Sequence, residues 1–309
     1  MKNLSDRKIN FMGVRKVAMV ISIVMVITAL ASLATRGLNF GIDFTGGTLV
    51  ELAYQSPVEL KQVRETLDKG GFDDAVVQHF GTPKDILVRI GIREGVSQNE
   101  IGGKVLKILQ AASSEPVERR RNEYVGPQVG EELTEQGGLA MLYALIGILI
   151  YVALRFEYRF AVGSVAALVH DVMITLGIFS IFQFEFDLPV LAALLAVIGY
   201  SLNDTIVVFD RIRENFRRMR KGMPVEIMNV SINQTLSRTL VTSLTTLLVL
   251  IALFILGGEV IHGFALALII GVMVGTYSSI YVASTVTLKL GVSKADLMQA
   301  QKEEIDNMP

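Results

Sequence analysis

Six long apolar segments, separated by short polar loops, constrain this sequence more than any other feature. A helix that crosses a membrane needs about 20 mostly apolar residues. Six segments meet this requirement: residues 17–34, 136–154, 160–182, 188–209, 236–256 and 263–288. The whole chain is 51% hydrophobic and only 19% charged, with a mean hydropathy of +0.49. The sequence therefore predicts an α-helical integral membrane protein with six transmembrane helices.

Lysine and arginine are distributed unequally between the loops, and this asymmetry predicts the orientation of the helices. Among the termini and short loops they occur on one side only, at residues 2–16, 155–159, 211–221 and 289–302. The two short loops on the opposite side contain none. The long segment 35–135 also holds 12 lysine and arginine residues, but a segment of about 100 residues is translocated largely regardless of its charge. Because short basic loops stay in the cytoplasm, residues 1–16 and 289–309 are predicted to be cytoplasmic. Residues 35–135 then form one outer domain, and residues 136–288 form a five-helix transmembrane bundle.

The first apolar segment has two interpretations. Small residues in ALASLA, at positions 29–34, would suit the cleavage site of a signal peptide. The polar head of 16 residues and the apolar run of 18 residues are long for such a peptide. The sequence therefore favours an uncleaved transmembrane anchor.

The outer segment, residues 35–135, has the pattern of a small α+β domain. Strand-like runs occur at 41–52, 75–81, 85–91 and 117–130, and helical segments occur at 56–71 and 97–112. Their order along the chain is βαββαβ. This order is typical of the ferredoxin-like fold, which we predict for an extracytoplasmic domain between spans 1 and 2. The fold alone does not indicate a function, because it hosts many.

The segment GIDFTGG, which contains Gly41, Asp43, Gly46 and Gly47, resembles a phosphate-binding loop only in its glycine content. Glycine-rich turns can expose backbone N–H groups to an anion. However, neither GxxxxGK[ST] nor GxGxxG occurs in this sequence. We interpret the glycines as a sharp turn from the membrane into the sheet.

The composition also argues against several kinds of site. Cysteine is absent, the three histidines are far apart, and there is no HExxH motif. The sequence therefore predicts no metal site and no cofactor. Its net charge of −1 gives no indication of nucleic-acid binding.

Asp204 and Arg238 are the polar residues within the apolar segments that most need an explanation. A charge at mid-membrane costs about 2.5–3.5 kcal/mol, so each requires a partner or a task. Asp204 is predicted about 9 Å inside the cytoplasmic end of span 4, and Arg238 near the cytoplasmic start of span 5. Asn203 adds hydrogen-bonding capacity beside Asp204, and Thr242 continues the polar face of Arg238.

Two interpretations of the Asp204 and Arg238 pair remain open. A buried ion pair can simply set the register of two helices. Alternatively, Asp204 takes up and releases protons when a helix movement changes its distance from Arg238. Moving one charge through 100 mV releases about 2.3 kcal/mol, which can drive conformational work.

Span 3 contains a third intramembrane acid, Asp171. It shares a face of small and polar residues with Gly163, Ala167 and Thr175. Asp171 is either a further member of the relay or a packing residue whose hydrogen bonds are satisfied. His170 is predicted to point away from Asp171, because adjacent residues diverge on a helix.

Span 6 has a small residue at every fourth position. The stripe consists of Gly263, Ala267, Gly271, Gly275, Ser279 and Ala283. Such a stripe lets two helices approach closely in lipid. It predicts that span 6 packs inside the bundle or against a partner subunit.

Three motifs together carry a family resemblance. They are GIDFTGGTLVEL at 41–52, NEYVGPQVGEEL at 122–133 and VIGYSLNDTIVVFDRIREN at 197–215. In this order, and along the whole chain, the sequence resembles the SecF branch of the SecD/SecF family of protein-export membrane proteins. The resemblance implies a periplasmic ferredoxin-like domain and six spans related to the RND transporters. It also implies a location in the bacterial inner membrane.

The same resemblance implies partners and a mechanism. The implied partners are SecD, the SecYEG translocon, YajC, membrane lipid, and preproteins that bind the periplasmic domain. The implied activity is use of the proton-motive force to complete preprotein export. The family's intramembrane aspartate and arginine, which serve proton transport, correspond to Asp204 and Arg238.

The residues also bear on three alternative functions. An intramembrane aspartyl protease would need Asp171 and Asp204 to share a proton, and the expected GxGD pattern reads SLND here. The chain is therefore predicted not to be an enzyme. A scaffold that conducts no ions and a stand-alone RND-type exporter are the other two alternatives.

Overall fold

The computed structural model describes residues 9–93, 98–219 and 222–293. Within these ranges six helices are long and apolar enough to cross a membrane: Arg15–Arg36, Pro127–Arg155, Tyr158–Phe182, Leu188–Arg218, Pro224–Leu256 and Ile261–Lys289. The prediction of six spans is therefore confirmed. Most of the predicted cytoplasmic ends, 1–16 and 289–309, lies outside the described residues.

The elements are numbered in chain order. They are α1 (Arg15–Arg36), β1 (Asn39–Phe40), α2 (Ile42–Thr45), β2 (Gly47–Tyr54), α3 (Leu60–Lys69), β3 (Val76–Phe80), β4 (Thr82–Ile90), α4 (Gln98–Ala112), β5 (Val117–Val125), α5 (Pro127–Arg155), α6 (Tyr158–Phe182), β6 (Glu185–Phe186), α7 (Leu188–Arg218), α8 (Pro224–Leu256), α9 (Glu259–Ser278) and α10 (Ser284–Lys289). A π-helical segment, Ser279–Ala283, joins α9 to α10.

Three membrane helices are longer than their apolar runs. Helix α5 begins at Pro127 rather than at 136, α7 continues to Arg218 rather than ending at 209, and α8 begins at Pro224 rather than at 236. Proline favours the first turn of a helix, because its missing N–H needs no partner there. Hydropathy finds only the part of each helix that matches the membrane, so the polar extensions were missed. Residues 126–130, predicted to be extended, mostly belong to α5.

A small α+β unit lies between α1 and α5 in the chain. Its elements follow the order β2, α3, β3, β4, α4, β5, and its antiparallel sheet has the strand order β3-β4-β2-β5. A core that includes Leu52, Leu67, Ile86, Val88 and Val105 fills the space between the sheet and the two helices. Strand β4 begins at Thr82, three residues before the strand-like run predicted at 85–91.

The glycines of the GIDFTGG segment stand where the backbone turns into the sheet. The backbone angle φ is +66° at Gly46 and +124° at Gly47, values that residues other than glycine rarely adopt. A Cβ atom at Gly47 would lie 2.5 Å from the Ile90 carbonyl oxygen. The turn therefore requires glycine for its conformation and for close approach to β4.

The α+β unit is joined to the start of α7. Strand β1 pairs in parallel with β6, with Asn39 opposite Glu185 and Phe40 opposite Phe186. The Asp43 carboxylate accepts a hydrogen bond from the Leu188 N–H at 3.0 Å. We call this end of the bundle the sheet end, and the opposite end, near Arg155 and Arg213, the arginine end.

The helix bundle has a buried centre formed by α6, α7 and α9. The small-residue stripe of span 6 lies along α7. A Cβ atom at Gly271 would collide with Val197, and one at Gly275 would lie 3.1 Å from the Ser201 Cβ atom. By contrast, α1, α5 and α8 leave most of their apolar surface exposed. The stripe therefore meets another helix of the same chain.

Candidate functional site

Asp204 is buried within α7. Its side chain is 3% exposed, and its Oδ2 atom has no hydrogen-bond partner among the described residues. Buried polar groups in proteins are nearly always hydrogen-bonded. Asp204 is therefore an exception, which points to a role other than packing.

Arg238 lies on α8, which packs against α7, and it interacts electrostatically with Asp204. No ion pair within 4.0 Å joins the two side chains in the part of the chain that the structure describes. The side chains of Arg238 and Asn203 are exposed. Thr242 donates its hydroxyl hydrogen bond to the Arg238 carbonyl oxygen at 3.0 Å. The two charged groups are thus close but not in contact.

Asp171 is the centre of a buried polar cluster that joins three helices. Its Oδ2 atom accepts hydrogen bonds from Ser201 Oγ on α7 at 2.5 Å and from Ser278 Oγ on α9 at 2.7 Å. Its Oδ1 atom lies 2.8 Å from His170 Nδ1. The Asp171 side chain is 1% exposed. We call Asp171, His170, Ser201 and Ser278 the Asp171 cluster.

The prediction that His170 points away from Asp171 is wrong. The two Cα atoms are adjacent on α6, but the imidazole is long enough for its Nδ1 atom to reach back to the carboxylate. The His170 ring also stacks on Tyr277, with ring centroids 6.1 Å apart. Side-chain rotamers, rather than the helical period, decide this contact.

Sequence reasoning also missed Ser201 and Ser278. Ser201 precedes Asp204 by three residues, so both lie on one face of α7. Ser278 lies one position before the stripe residue Ser279, and the π-helical segment starts directly after it. Single π turns within helices occur frequently at functional sites. The spacing from Ser201 to Asp204 was the one signal available in the sequence.

Asp210 lies at the arginine end of α7 and is paired on the protein surface. Its carboxylate oxygens lie 2.6 Å from Arg155 Nη2 and 3.4 Å from Arg213 Nη1. The side chain of Asp210 is 40% exposed. This arrangement differs from that of Asp204, which is buried on the same helix, and it makes Asp210 a suitable control residue.

At the sheet end, Asp187 caps α7. Its Oδ1 atom accepts a hydrogen bond from the Val190 N–H at 2.9 Å. Burial raises the pKa of Asp187 to about 6, and the nearby charges of Glu185 and Asp43 act in the same direction. Together with Asp43 and Glu185, Asp187 borders a cavity of about 630 Å³ between the sheet and the bundle.

We predict that replacing Asp187 by Asn changes how stability depends on pH. Because the pKa of Asp187 is raised, the folded chain binds more protons than the unfolded chain between about pH 4 and about pH 6. Stability is therefore lost as the pH rises through this window. Asn also caps helices but does not titrate. The Asp187→Asn variant should therefore lose less stability than wild type as the pH rises through this window. Thermal unfolding in detergent at several pH values measures this, and parallel profiles for the two proteins would contradict it.

No group of three or more His, Asp or Glu side chains in the described ranges could hold a metal ion. The site instead consists of carboxylates that can bind protons, together with hydroxyl groups, within a helix bundle. The fold and the site define a multi-pass α-helical membrane protein with two buried acids and an α+β unit at one end of the bundle.

Comparison with known proteins places the chain within this class. The family "Protein export membrane protein SecD/SecF, C-terminal" matches residues 104–293, and the "SecD/SecF GG Motif" matches residues 31–58. The chain is 56% identical to the protein translocase subunit SecF of Vibrio alginolyticus, over 99% of this chain and 98% of the relative. It is 52% identical to SecF of Pseudomonas aeruginosa, over 99% and 100%.

A crystal structure of SecDF from Thermus, a translocon-associated membrane protein, has a similar fold. The TM-score is 0.83 at 41% sequence identity, and the match covers 94% of this chain. This chain spans only 40% of that SecDF chain. On these findings, the chain belongs to the SecD/SecF family of protein-export membrane proteins.

Proposed function

We propose that this chain acts with SecD to complete preprotein export across the inner membrane, driven by the proton-motive force. A general role in protein export is supported by the family match and by relatives that are named translocase subunits. In this role the chain is a transport component rather than an enzyme. Asp204 and Arg238 form the proton relay, and Asn203, Thr242 and Asp171 are its polar neighbours.

The observation that carries this proposal is the environment of the Asp204 side chain. It is buried, one of its oxygens lacks a hydrogen bond, and no ion pair within 4.0 Å joins it to Arg238 in the described part of the chain. An isolated charge is strongly disfavoured in an apolar interior. A proton on Asp204 removes that charge, whereas an approach of Arg238 would stabilise the ionised form. Movement between α7 and α8 would therefore couple proton binding to conformation.

The exposed polar groups on α7 and α8 support a partner at this face. Arg238 and Asn203 are exposed in the isolated chain, and a lipid-facing arginine costs about 2.5–3.5 kcal/mol at mid-membrane. Gly199, on the same side of α7 as Asn203, has no atom of another described element within 4 Å of its Cβ position. SecD would cover this face, since the chain corresponds to only 40% of the SecDF chain that it resembles.

The α+β unit is proposed to be the ferredoxin-like periplasmic domain. Its strand order and βαββαβ arrangement support the fold. Its attachment at the sheet end, away from Arg155 and Arg213, supports the orientation in which both termini are cytoplasmic. In this orientation the domain would meet preproteins that leave SecYEG, with YajC as a further partner of the assembly.

The protease alternative receives no support from the geometry. The oxygens of Asp171 are occupied by Ser201, Ser278 and His170. A proteolytic dyad needs two carboxyl groups that share one proton. Among the described contacts, no hydrogen bond joins Asp171 to Asp204.

Proton flux through the reconstituted pair of this chain and SecD tests the proposal. Proteoliposomes containing wild type, Asp204→Asn or Asp210→Asn are given a pH gradient, and a trapped pH-sensitive dye reports proton entry. We expect Asp204→Asn to lower the flux to that of empty liposomes and Asp210→Asn to retain it. Unchanged flux in Asp204→Asn would favour a scaffold that conducts no protons.

A further inference from the structure

His170 is a buried titratable group that the relay described above does not use. Its side chain is 5% exposed, and its Nε2 atom has no hydrogen-bond partner among the described residues. A packing histidine in an apolar interior would normally satisfy both ring nitrogens. The unpartnered nitrogen thus requires an explanation of its own.

The hydrogen bonds of Asp171 define which ring nitrogen of His170 is free. Two serine hydroxyl groups donate to its Oδ2 atom, and the His170 Nδ1 atom contacts its Oδ1 atom. An ionised carboxylate can only accept hydrogen bonds, so Nδ1 carries the ring proton in this contact. Nε2 is then left with a lone pair that can bind a second proton.

Resting on the proposed proton relay, the geometry points to His170 Nε2 as a second proton-binding position, with the Asp171 carboxylate as its counter-ion. When a proton binds Nε2, the pair becomes an imidazolium beside a carboxylate and its net charge becomes zero. When the proton leaves Nε2, the neutral imidazole returns. Asp171 remains a hydrogen-bond acceptor throughout, and the step is the binding and release of one proton.

The position of the Asp171 cluster connects it to Asp204. Ser201 donates to Asp171 and lies three residues before Asp204 on α7, about 4.5 Å along the helix axis. A movement of α7 that changes the state of Asp204 therefore also moves a hydrogen-bond donor of Asp171. The two proton-binding positions would be coupled through this helix.

His170 contacts Asp171, its neighbour on α6, and Tyr277 of α9, which stacks on the ring. Tyr277 in turn contacts Tyr281 of the π-helical segment, with ring centroids 5.2 Å apart. Helix α1 contributes Ser22, whose hydroxyl lies 3.1 Å from the Tyr277 hydroxyl. The charged residues of α1 are at its two ends: Arg15, Lys16 and Arg36. The carboxylate that can balance an imidazolium here is that of Asp171.

Replacement of His170 by Asn separates a proton-binding role from a structural role. The Asn side-chain amide can donate to Asp171 from near the position of Nδ1, but it cannot take up a proton. In proteoliposomes with SecD, we expect His170→Asn to lower proton flux at least about tenfold. His262→Asn is the control, because His262 lies beside the sheet-end cavity and away from the Asp171 cluster. Flux within about twofold of wild type would overturn the inference.

A spectroscopic measurement covers the case in which His170→Asn fails to assemble with SecD. The subunit is labelled with ¹⁵N-histidine in the His79→Gln, His262→Gln background, so that His170 gives the ring signals. We expect the ring to be found in two forms, a neutral imidazole protonated on Nδ1 and an imidazolium, as the proton concentration of the sample is varied. A ring that keeps one protonation state under all conditions in which the protein stays folded would overturn the inference. If Asp204→Asn alone lowers the flux, the relay stands and the role of His170 fails; if neither does, the relay itself fails.

Discussion

Vesicles carrying Asp204→Asn or Arg238→Met are expected to lose the component of preprotein export that a proton gradient stimulates. Export should fall to the rate seen when the gradient is collapsed. Asp204→Asn lacks the carboxylate that binds the proton, and Arg238→Met lacks the guanidinium that stabilises the ionised carboxylate. Each proton that crosses 100 mV supplies about 2.3 kcal/mol, or about a 50-fold change in an equilibrium constant. The lost stimulation should therefore be large. Export is measured by the protection of a translocated preprotein from added protease.

Two matched variants control for a general loss of charge at this end of the bundle. Asp210→Asn and Arg211→Met remove partly exposed charges of the same types from the same helix as Asp204. Ion pairs near the surface contribute little to stability, so both variants should respond to the gradient as wild type does. Co-purification of each variant with SecD verifies insertion and assembly. A gradient response that survives in both Asp204→Asn and Arg238→Met would refute the relay assignment.

Gly271→Ala is expected to destabilise the helix bundle more than a single added methyl group would suggest. The new Cβ atom would lie 2.1 Å from Val197 Cγ2, 2.5 Å from Cγ1 and 2.9 Å from Cβ. Rotation of Val197 cannot relieve this overlap, because all three atoms of its side chain are too close. Helices α7 and α9 must move apart, and overpacking of this kind costs about 1–3 kcal/mol. Thermal unfolding of the detergent-solubilised protein measures the loss.

Gly147→Ala is the matched control for this packing prediction. Gly147 lies on α5, and no atom of another described element lies within 4 Å of its Cβ position. Its replacement should leave the free energy of unfolding unchanged or raise it by up to about 1 kcal/mol, since alanine is more favourable than glycine within a helix. In the double variant, Val197→Ala should restore part of the stability lost in Gly271→Ala, because the two positions are in contact. Equal unfolding temperatures for Gly271→Ala and Gly147→Ala would show that the stripe does not set the spacing of α7 and α9.

The six membrane helices could be predicted because lipid imposes a simple requirement on the sequence. Every backbone polar group in the membrane core must be satisfied within the segment, so a span is a long apolar helix. The helix ends were less predictable: α8 begins at Pro224, well before its apolar run. Helix formation continues into polar residues where solvent or other elements satisfy the backbone. Hydropathy therefore predicts the part of a helix that lies within the membrane, but not where the helix begins and ends.

The candidate site was predictable only in part. Asp171 and Asp204 stand out because an acid within an apolar run is costly, and this contrast is visible in the sequence. The partners of Asp171 were not visible, because Ser201 and Ser278 lie 30 and 107 residues away along the chain. The link from Asp43 to Leu188 spans 145 residues. Local periodicity carries no information about such contacts.

Six spans, and two acids within them, follow from the order of the residues alone. The partners of those acids follow from the fold: the Asp171 carboxylate is held by two hydroxyl groups and an imidazole, whereas one oxygen of Asp204 has no hydrogen bond, and Arg238 makes no ion pair with it, among the described residues. Hydrophobicity is a property of consecutive residues, whereas hydrogen bonds between helices depend on how each helix is rotated and which rotamer each side chain adopts.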